Sequence, residues 1–149
     1  FLRIGIPITF AILPRLKRSV QLAELIHKEG HEIILHQPME PLNPMIDPGP
    51  GALYVRYKSS DILRITAENL SEVPYVTGLN NHMGSKITRN PHLMEIILKY
   101  IKKKDLFAEY LCIFVLFFLL LFQHPSGNHL LFSFLSSLLN PLYPSLRTP

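Results

Sequence analysis

Two patterns of apolar residues alternate along the first part of the chain. One is the short unbroken run, and the other is the longer stretch that repeats every three to four positions. Pro7 to Leu13 (PITFAIL) is a run rich in β-branched and aromatic residues, closed by Pro14, and predicts a buried strand. Leu16, Val20, Leu22, Ala23, Leu25 and Ile26 then recur at helical spacing and predict a helix over Leu16–Glu29. Gly30 stops that helix, as glycine does just past a C-cap. His31–His36 (HEIILH) is a second apolar run, short enough to be a strand. Together these make one β-α-β unit, whose strands pair in parallel while the helix crosses over.

From Gln37 to Ser59 the pattern lapses into a proline-rich loop containing Asp47-Pro48-Gly49-Pro50-Gly51, which sustains neither helix nor ladder. Loops of this length in compact domains are commonly functional or disordered. Ser60 is placed to cap a helix running to Leu70, with Ile62, Leu63, Ile65 and Leu70 as its apolar positions. Tyr75–Leu79 predicts a third strand, and Asn80–Thr88 a polar turn. Asn90 then caps a helix that starts at Pro91 and runs to Lys104, with Leu93, Ile96, Ile97, Tyr100 and Ile101 on one face. Asp105-Leu106-Phe107 leads into a fourth strand. The expected fold is therefore α/β, with about four parallel strands and crossover helices. Four strands do not close a barrel, so a sheet edge stays open unless further chain or another molecule covers it.

Composition divides the chain in two. Residues 1–107 have ordinary globular proportions, whereas residues 108–149 carry only Glu109 and Arg147 as formally charged side chains. Leu111 to Phe122 is an unbroken apolar run, shorter than the roughly 20 residues that span a bilayer core. Two readings of this tail stand side by side: a membrane anchor over residues 107–122, and a segment translated from a shifted or non-coding frame, the favoured expectation. The chain opens on Phe1 without an initiator Met, which points to a start part-way through a longer protein. The formal net charge of +4 does not imply nucleic-acid binding, because no basic and aromatic interleaving accompanies it. Lys102, Lys103 and Lys104 instead close a helix, where cations offset the dipole. The single Cys112 excludes an internal disulfide and a cysteine cluster for zinc.

The chemistry-bearing candidates lie at strand ends. In parallel α/β folds the C-terminal strand ends point to one face, and ligands bind there. His36 ends the second strand and His82 follows the third, so two units aim imidazoles at one rim. A pair of imidazoles suits zinc or another borderline divalent metal, although a strand-end His alone is commonly a hydrogen-bonded structural residue. Glu40 is a metal ligand, a general base or a plain loop carboxylate. Asn80, Asn81 and Ser85 either donate hydrogen bonds to a substrate or oxyanion, or tie Gly78 and Gly84 into a turn. His27, His31 and His92 sit away from the rim, and His124 and His129 fall in the tail. The Gly/Pro loop 47–51 lacks the Lys-Ser/Thr ending of a phosphate cradle.

Several segments, in order and spacing, resemble the divergent polysaccharide deacetylases. They are Ile8-Thr9-Phe10-Ala11-Ile12-Leu13-Pro14, Gly30-His31-Glu32, and Leu35-His36-Gln37-Pro38-Met39-Glu40-Pro41. Asn43-Pro44, Pro48-Gly49-Pro50-Gly51-Ala52-Leu53, and Gly78-Leu79-Asn80-Asn81-His82-Met83-Gly84-Ser85 with Thr88 complete the set. The resemblance covers residues 5 to 107. It implies part of a distorted β/α barrel, related to enzymes that remove acetyl groups from sugars with a divalent metal, most simply zinc. It places His36 on the first position of the family's His motif, with Glu40 where a second His usually stands and His82 as the replacement ligand. On that reading Glu40 and Asn81 are catalytic, and Asn80, Ser85 and Met39 touch a polysaccharide or oligosaccharide substrate. It also implies an Asp-Asp pair on a strand preceding Phe1, so this chain alone is expected to be inactive, and an exported or periplasmic parent. The alternatives are a non-catalytic carbohydrate-binding remnant and a membrane-associated protein.

Overall fold

The computed structural model describes residues 5–109, and the tail residues 110–149, with most of the proposed anchor, lie outside them. The elements run β1 (Thr9–Ile12), α1 (Ser19–Lys28), β2 (Glu32–Met39), α2 (Ser59–Glu72), β3 (Val76–Met83), a 3₁₀ turn (Ile87–Arg89), α3 (Pro91–Lys103) and β4 (Phe107–Glu109). The strands form one parallel sheet in the order β1-β2-β3-β4. Each crossover thus reaches the adjacent strand, and crossovers of one hand place their helices on one face of the sheet. The opposite face corresponds to the inside of a barrel wall.

Strand alternation divides the side chains between these faces. Ile33, Leu35, Met39 and Leu79 join Ala23, Ile26, Ile62, Leu93, Ile97 and Ile101 in one core between sheet and helices. Leu35, Leu79, Ile62 and Ile97 are wholly buried. Burying side chains of this size stabilises by about 1.5–3 kcal/mol each, which makes this layer the main support of the fold.

Local signals behave as their chemistry requires at two helix ends. Gly30, at φ 82°, ends α1: its N–H donates to the His27 carbonyl at 3.0 Å and the His31 N–H to Ile26 at 3.2 Å. Asn90 caps α3, its side chain accepting from the Leu93 N–H at 3.2 Å with Pro91 following. Helix α2 differs from expectation. It starts at Ser59 after Lys58, and no side chain caps it.

The larger difference is in the strands. Both β2 and β3 run past the apolar segments that predict them, to Met39 and Met83. Register supplies what hydropathy does not: His36 pairs with Asn80, Gln37 with Asn81, Pro38 with His82 and Met39 with Met83. Pro38 is tolerated because its carbonyl accepts from the Leu53 N–H at 2.9 Å, beyond the end of β1, where Ile12 already pairs with Leu35. Its missing N–H therefore costs no ladder bond. The Glu40 N–H returns a bond to the Leu53 carbonyl at 2.8 Å, stitching the long loop back onto β2.

Candidate metal centre at the strand ends

Extension of β3 decides which side chains meet. Asn80 and His82 are two apart on one strand and so share a face, and Asn80 is the cross-strand partner of His36. All three project to the face away from the helices, because Leu35 and Leu79 take the core face. Beneath them Gly78 leaves room for the Phe107 ring, which lies 2.7 Å from where a Cβ would stand. Ile34 is its neighbour on β2, so the floor of the site is apolar.

The two imidazoles converge. His36 Nε2 and His82 Nδ1 are 3.0 Å apart, with ring planes inclined at 64°. Asn80 Oδ1 lies 2.6 Å from His36 Nδ1, so that nitrogen carries the proton and donates, leaving Nε2 as the lone-pair nitrogen. Burial lowers the pKa of His82, and the neighbouring His36 lowers it further. Both effects favour the neutral ring that a metal ligand requires.

Geometry and donor chemistry fit a divalent cation. With metal–nitrogen bonds of about 2.0–2.1 Å, the observed separation lets both nitrogens reach one ion at an angle of about 94°. A ligating His also typically donates its second ring N–H to an oxygen, the part that Asn80 plays for His36. Among the described residues no cluster of three His, Cys, Asp or Glu side chains forms, and the two imidazoles stand as a pair.

Glu40 stands elsewhere in this arrangement. Its Oε1 accepts from Lys86 Nζ at 2.6 Å and its Oε2 from the Val55 N–H at 2.7 Å. Burial pushes the carboxyl up, but the Lys86 and Val55 hydrogen bonds, with the Lys86 and Arg56 charges, outweigh it and hold Glu40 below the usual carboxylate range. Its backbone carbonyl further accepts from Lys86 N at 3.1 Å. A carboxylate so engaged is a weak proton acceptor and an effective clamp between β2, the long loop and the β3–α3 connection.

The remaining candidates scatter for reasons of strand parity and burial. Asn81 faces opposite to His82, and its Nδ2 donates to the Met83 carbonyl at 2.7 Å. Its Oδ1 is buried and has no hydrogen-bond partner among the described residues. Ser85 Oγ accepts from the Leu42 N–H at 2.9 Å, tying turn to loop. Met39 is fully buried and packs on Gly84, so it is a core residue and not the substrate contact the resemblance implies.

Sequence reasoning missed Gln37 and Asn69, both fully buried. Asn69 Nδ2 donates to Gln37 Oε1 at 2.9 Å and to the Gly51 carbonyl at 2.8 Å, and Asn69 Oδ1 accepts from Arg15 Nε at 2.8 Å. The available signal was periodicity, since Asn69 falls on the inward stripe of α2 with Ile62 and Thr66.

The fold and the paired imidazoles define an α/β protein whose strand ends on one barrel-type wall bear its candidate chemistry. Residues 1–109 match the model of the divergent polysaccharide deacetylases, and the chain belongs to that family. It is 34% identical over 102 residues to the uncharacterised protein YibQ of Escherichia coli, a match covering 67% of this chain and 31% of that protein. An uncharacterised protein of Haemophilus influenzae is 30% identical over 102 residues, covering 67% and 35%. The chain therefore spans about a third of the length of the curated relatives it matches. The crystal structure of an uncharacterised protein from Agrobacterium tumefaciens shares the fold, with a TM-score of 0.60 and 24% identity over 69% of this chain and 42% of that one.

Proposed function

We propose that the protein is a metal-dependent carbohydrate deacetylase, hydrolysing acetyl groups from a polysaccharide or oligosaccharide, with His36 and His82 as ligands to one divalent cation. The 3.0 Å convergence of two imidazoles from separate β-α units carries this reading, together with family membership. A divalent metal held there, zinc in the simplest case, would polarise the acetyl carbonyl and lower the pKa of a bound water. His82 enters as a neutral ring, and Asn80 holds His36 with Nε2 outward. Lys86 and Val55 keep Glu40 ionised, so Glu40 holds the rim together and leaves proton transfer to another base. An exported or periplasmic setting suits a polymeric sugar substrate.

The test is calorimetric titration of the folded chain with zinc. Stoichiometric uptake that disappears in His36→Ala and His82→Ala is the expected result, and absence of uptake by the folded wild-type chain would overturn the reading. A second reading is a non-catalytic carbohydrate-binding protein. It is favoured by the observation that the described residues bring only two ligands together. Sugar binding with no zinc uptake would establish that alternative.

A further inference from the structure

Helix α1 carries two stripes. Ser19, Ala23 and Ile26 are buried against the sheet. Arg18, Leu22, Leu25 and Glu29 form the second, at the i, i+4, i+7, i+11 spacing of a helix–helix seam. Leu22 and Leu25 are 45% and 44% exposed there. The His27 ring shows which way this second stripe faces. It stacks on Tyr75, with centroids 3.8 Å apart and planes 4° from parallel, and Tyr75 leads into β3. The second stripe lies about 170° around the helix from His27, so it faces away from β3, on the side of β1. There β1 is the outermost strand, and among the described residues nothing pairs with its outer edge.

That edge is suited to a ladder. The Glu32 N–H donates to the Ile8 carbonyl at 3.0 Å, so Ile8, Phe10 and Ile12 turn their backbone groups to β2, and Thr9 and Ala11 turn theirs outward. No charged residue or proline, the devices that blunt exposed edges, interrupts Thr9–Ile12. Two copies of β1 set antiparallel about Phe10 exchange hydrogen bonds between Thr9 and Ala11 of the partner subunit, twice over by symmetry. Two copies of α1 set antiparallel oppose Leu22 to Leu25 of the partner subunit and Arg18 to Glu29 of the partner subunit. Apolar meets apolar, and cation meets anion. Ser19 Oγ donates to the Leu13 carbonyl at 2.6 Å and the His31 N–H to the Ile26 carbonyl at 3.2 Å, which sets the midpoint of α1 beside Phe10. One axis therefore serves both contacts. The spacing agrees as well. Helix α1 packs on β1 and β2 together, and with strands about 4.8 Å apart the two helices lie about 10 Å from each other across that axis. Packed helices stand about 8–10 Å apart.

We infer that the β1 edge and the Arg18, Leu22, Leu25, Glu29 stripe bind a second copy of this chain about a two-fold axis normal to the sheet, joining two four-stranded sheets into one. His36 and His82 project from the other face, so the dimer is independent of their chemistry.

The experiment is sedimentation velocity of the full chain over a range of concentrations, with hydrogen exchange of the Thr9 and Ala11 amides. A dimer whose formation protects both amides is the expected result. Ala11→Pro removes an outward N–H that β1 does not use within its own sheet, so the thermal melt should persist while the dimer weakens. Two bonds go by symmetry, which moves the dimer midpoint to higher concentration by about tenfold or more. Leu22→Glu with Leu25→Glu, both at exposed positions, should do the same. Arg18→Glu should weaken the dimer, and Arg18→Glu with Glu29→Arg should restore it. Those two positions are about 16 Å apart along one helix, so rescue reports a contact between copies. A monomeric wild type overturns the inference, and protected amides in that monomer assign the edge to another segment of the same chain. Association that survives both Ala11→Pro and Leu22→Glu with Leu25→Glu also overturns it, as does a charge swap that fails to restore the dimer.

Discussion

Asn80 and His36 are joined twice, once as partners in the β2–β3 ladder and again through Asn80 Oδ1, 2.6 Å from His36 Nδ1. The ladder fixes where the two Cα atoms stand, and the side-chain bond fixes which ring nitrogen remains free. A partner that orients a ligating imidazole typically affects metal affinity by about 10–100-fold. Asn80→Ala is therefore expected to weaken zinc binding by that range, and Asn80→Asp to retain most of it. Competition titration against a chelator measures both, and an Asn80→Ala affinity equal to wild type would remove Asn80 from the site.

Gln37 and Asn69 form a second pair, wholly buried and linked at 2.9 Å. Removing one leaves the other's polar atoms unsatisfied, at a cost of about 1–3 kcal/mol. Gln37→Ala and Asn69→Ala should each lower stability by that amount in urea unfolding. The double variant should cost clearly less than the sum. Additive losses would show that the two side chains act independently.

Gly51 sits where the loop meets this pair. Its φ is 73°, and a Cβ would stand 2.6 Å from Asn69 Oδ1 and 2.9 Å from Arg15 Nε. Gly49 also has positive φ, at 93°, but opens onto free space. Gly49→Ala should cost about 1 kcal/mol of backbone strain. Gly51→Ala should cost more, roughly 2–4 kcal/mol, because the network must also part. Thermal melts of the two variants side by side check the order, and equal losses would contradict it.

The Glu40–Lys86 pair gives a pH dependence whose direction follows from the depressed carboxyl. The folded state holds Glu40 below its ordinary value of 4.5 and so binds that proton less readily than the unfolded chain. The associated stabilisation is complete above about pH 4.5 and is lost as pH falls through the lower folded value. Lys86→Met should remove about 1 kcal/mol or less at neutral pH and flatten the acid limb of the stability curve. An unchanged acid limb in Lys86→Met would show that Lys86 contributes nothing to the shift.

The core offers a control outside every site. Leu79→Ala removes a fully buried side chain from the sheet-to-helix layer and should cost roughly 2–5 kcal/mol. Denaturant midpoints measure this, and a loss below about 1 kcal/mol would mean that the layer repacks around the cavity.

Sequence by itself determined what depends on neighbours along the chain. The Gly30 stop of α1, the Asn90 cap of α3 and the apolar runs through Ile33–Leu35 are readable because capping, φ preference and hydrophobic period act over a few residues. It also indicated that His36 and His82 belong to one rim, since successive parallel strands end on the same side. Only the tertiary structure decided where β2 and β3 stop, because Gln37, Asn80, Asn81 and His82 look like loop residues until a partner strand satisfies their backbone. From that extension came the side-chain parity that sets Asn81 opposite His82, buries Met39 and turns Asn80 onto His36. It likewise decided that Glu40 meets Lys86 and Val55, contacts 46 and 15 residues distant that no local pattern encodes. Hydropathy reports how each residue partitions from water. Pairing and direction are set by partners that are remote in sequence, so only the folded chain reveals them.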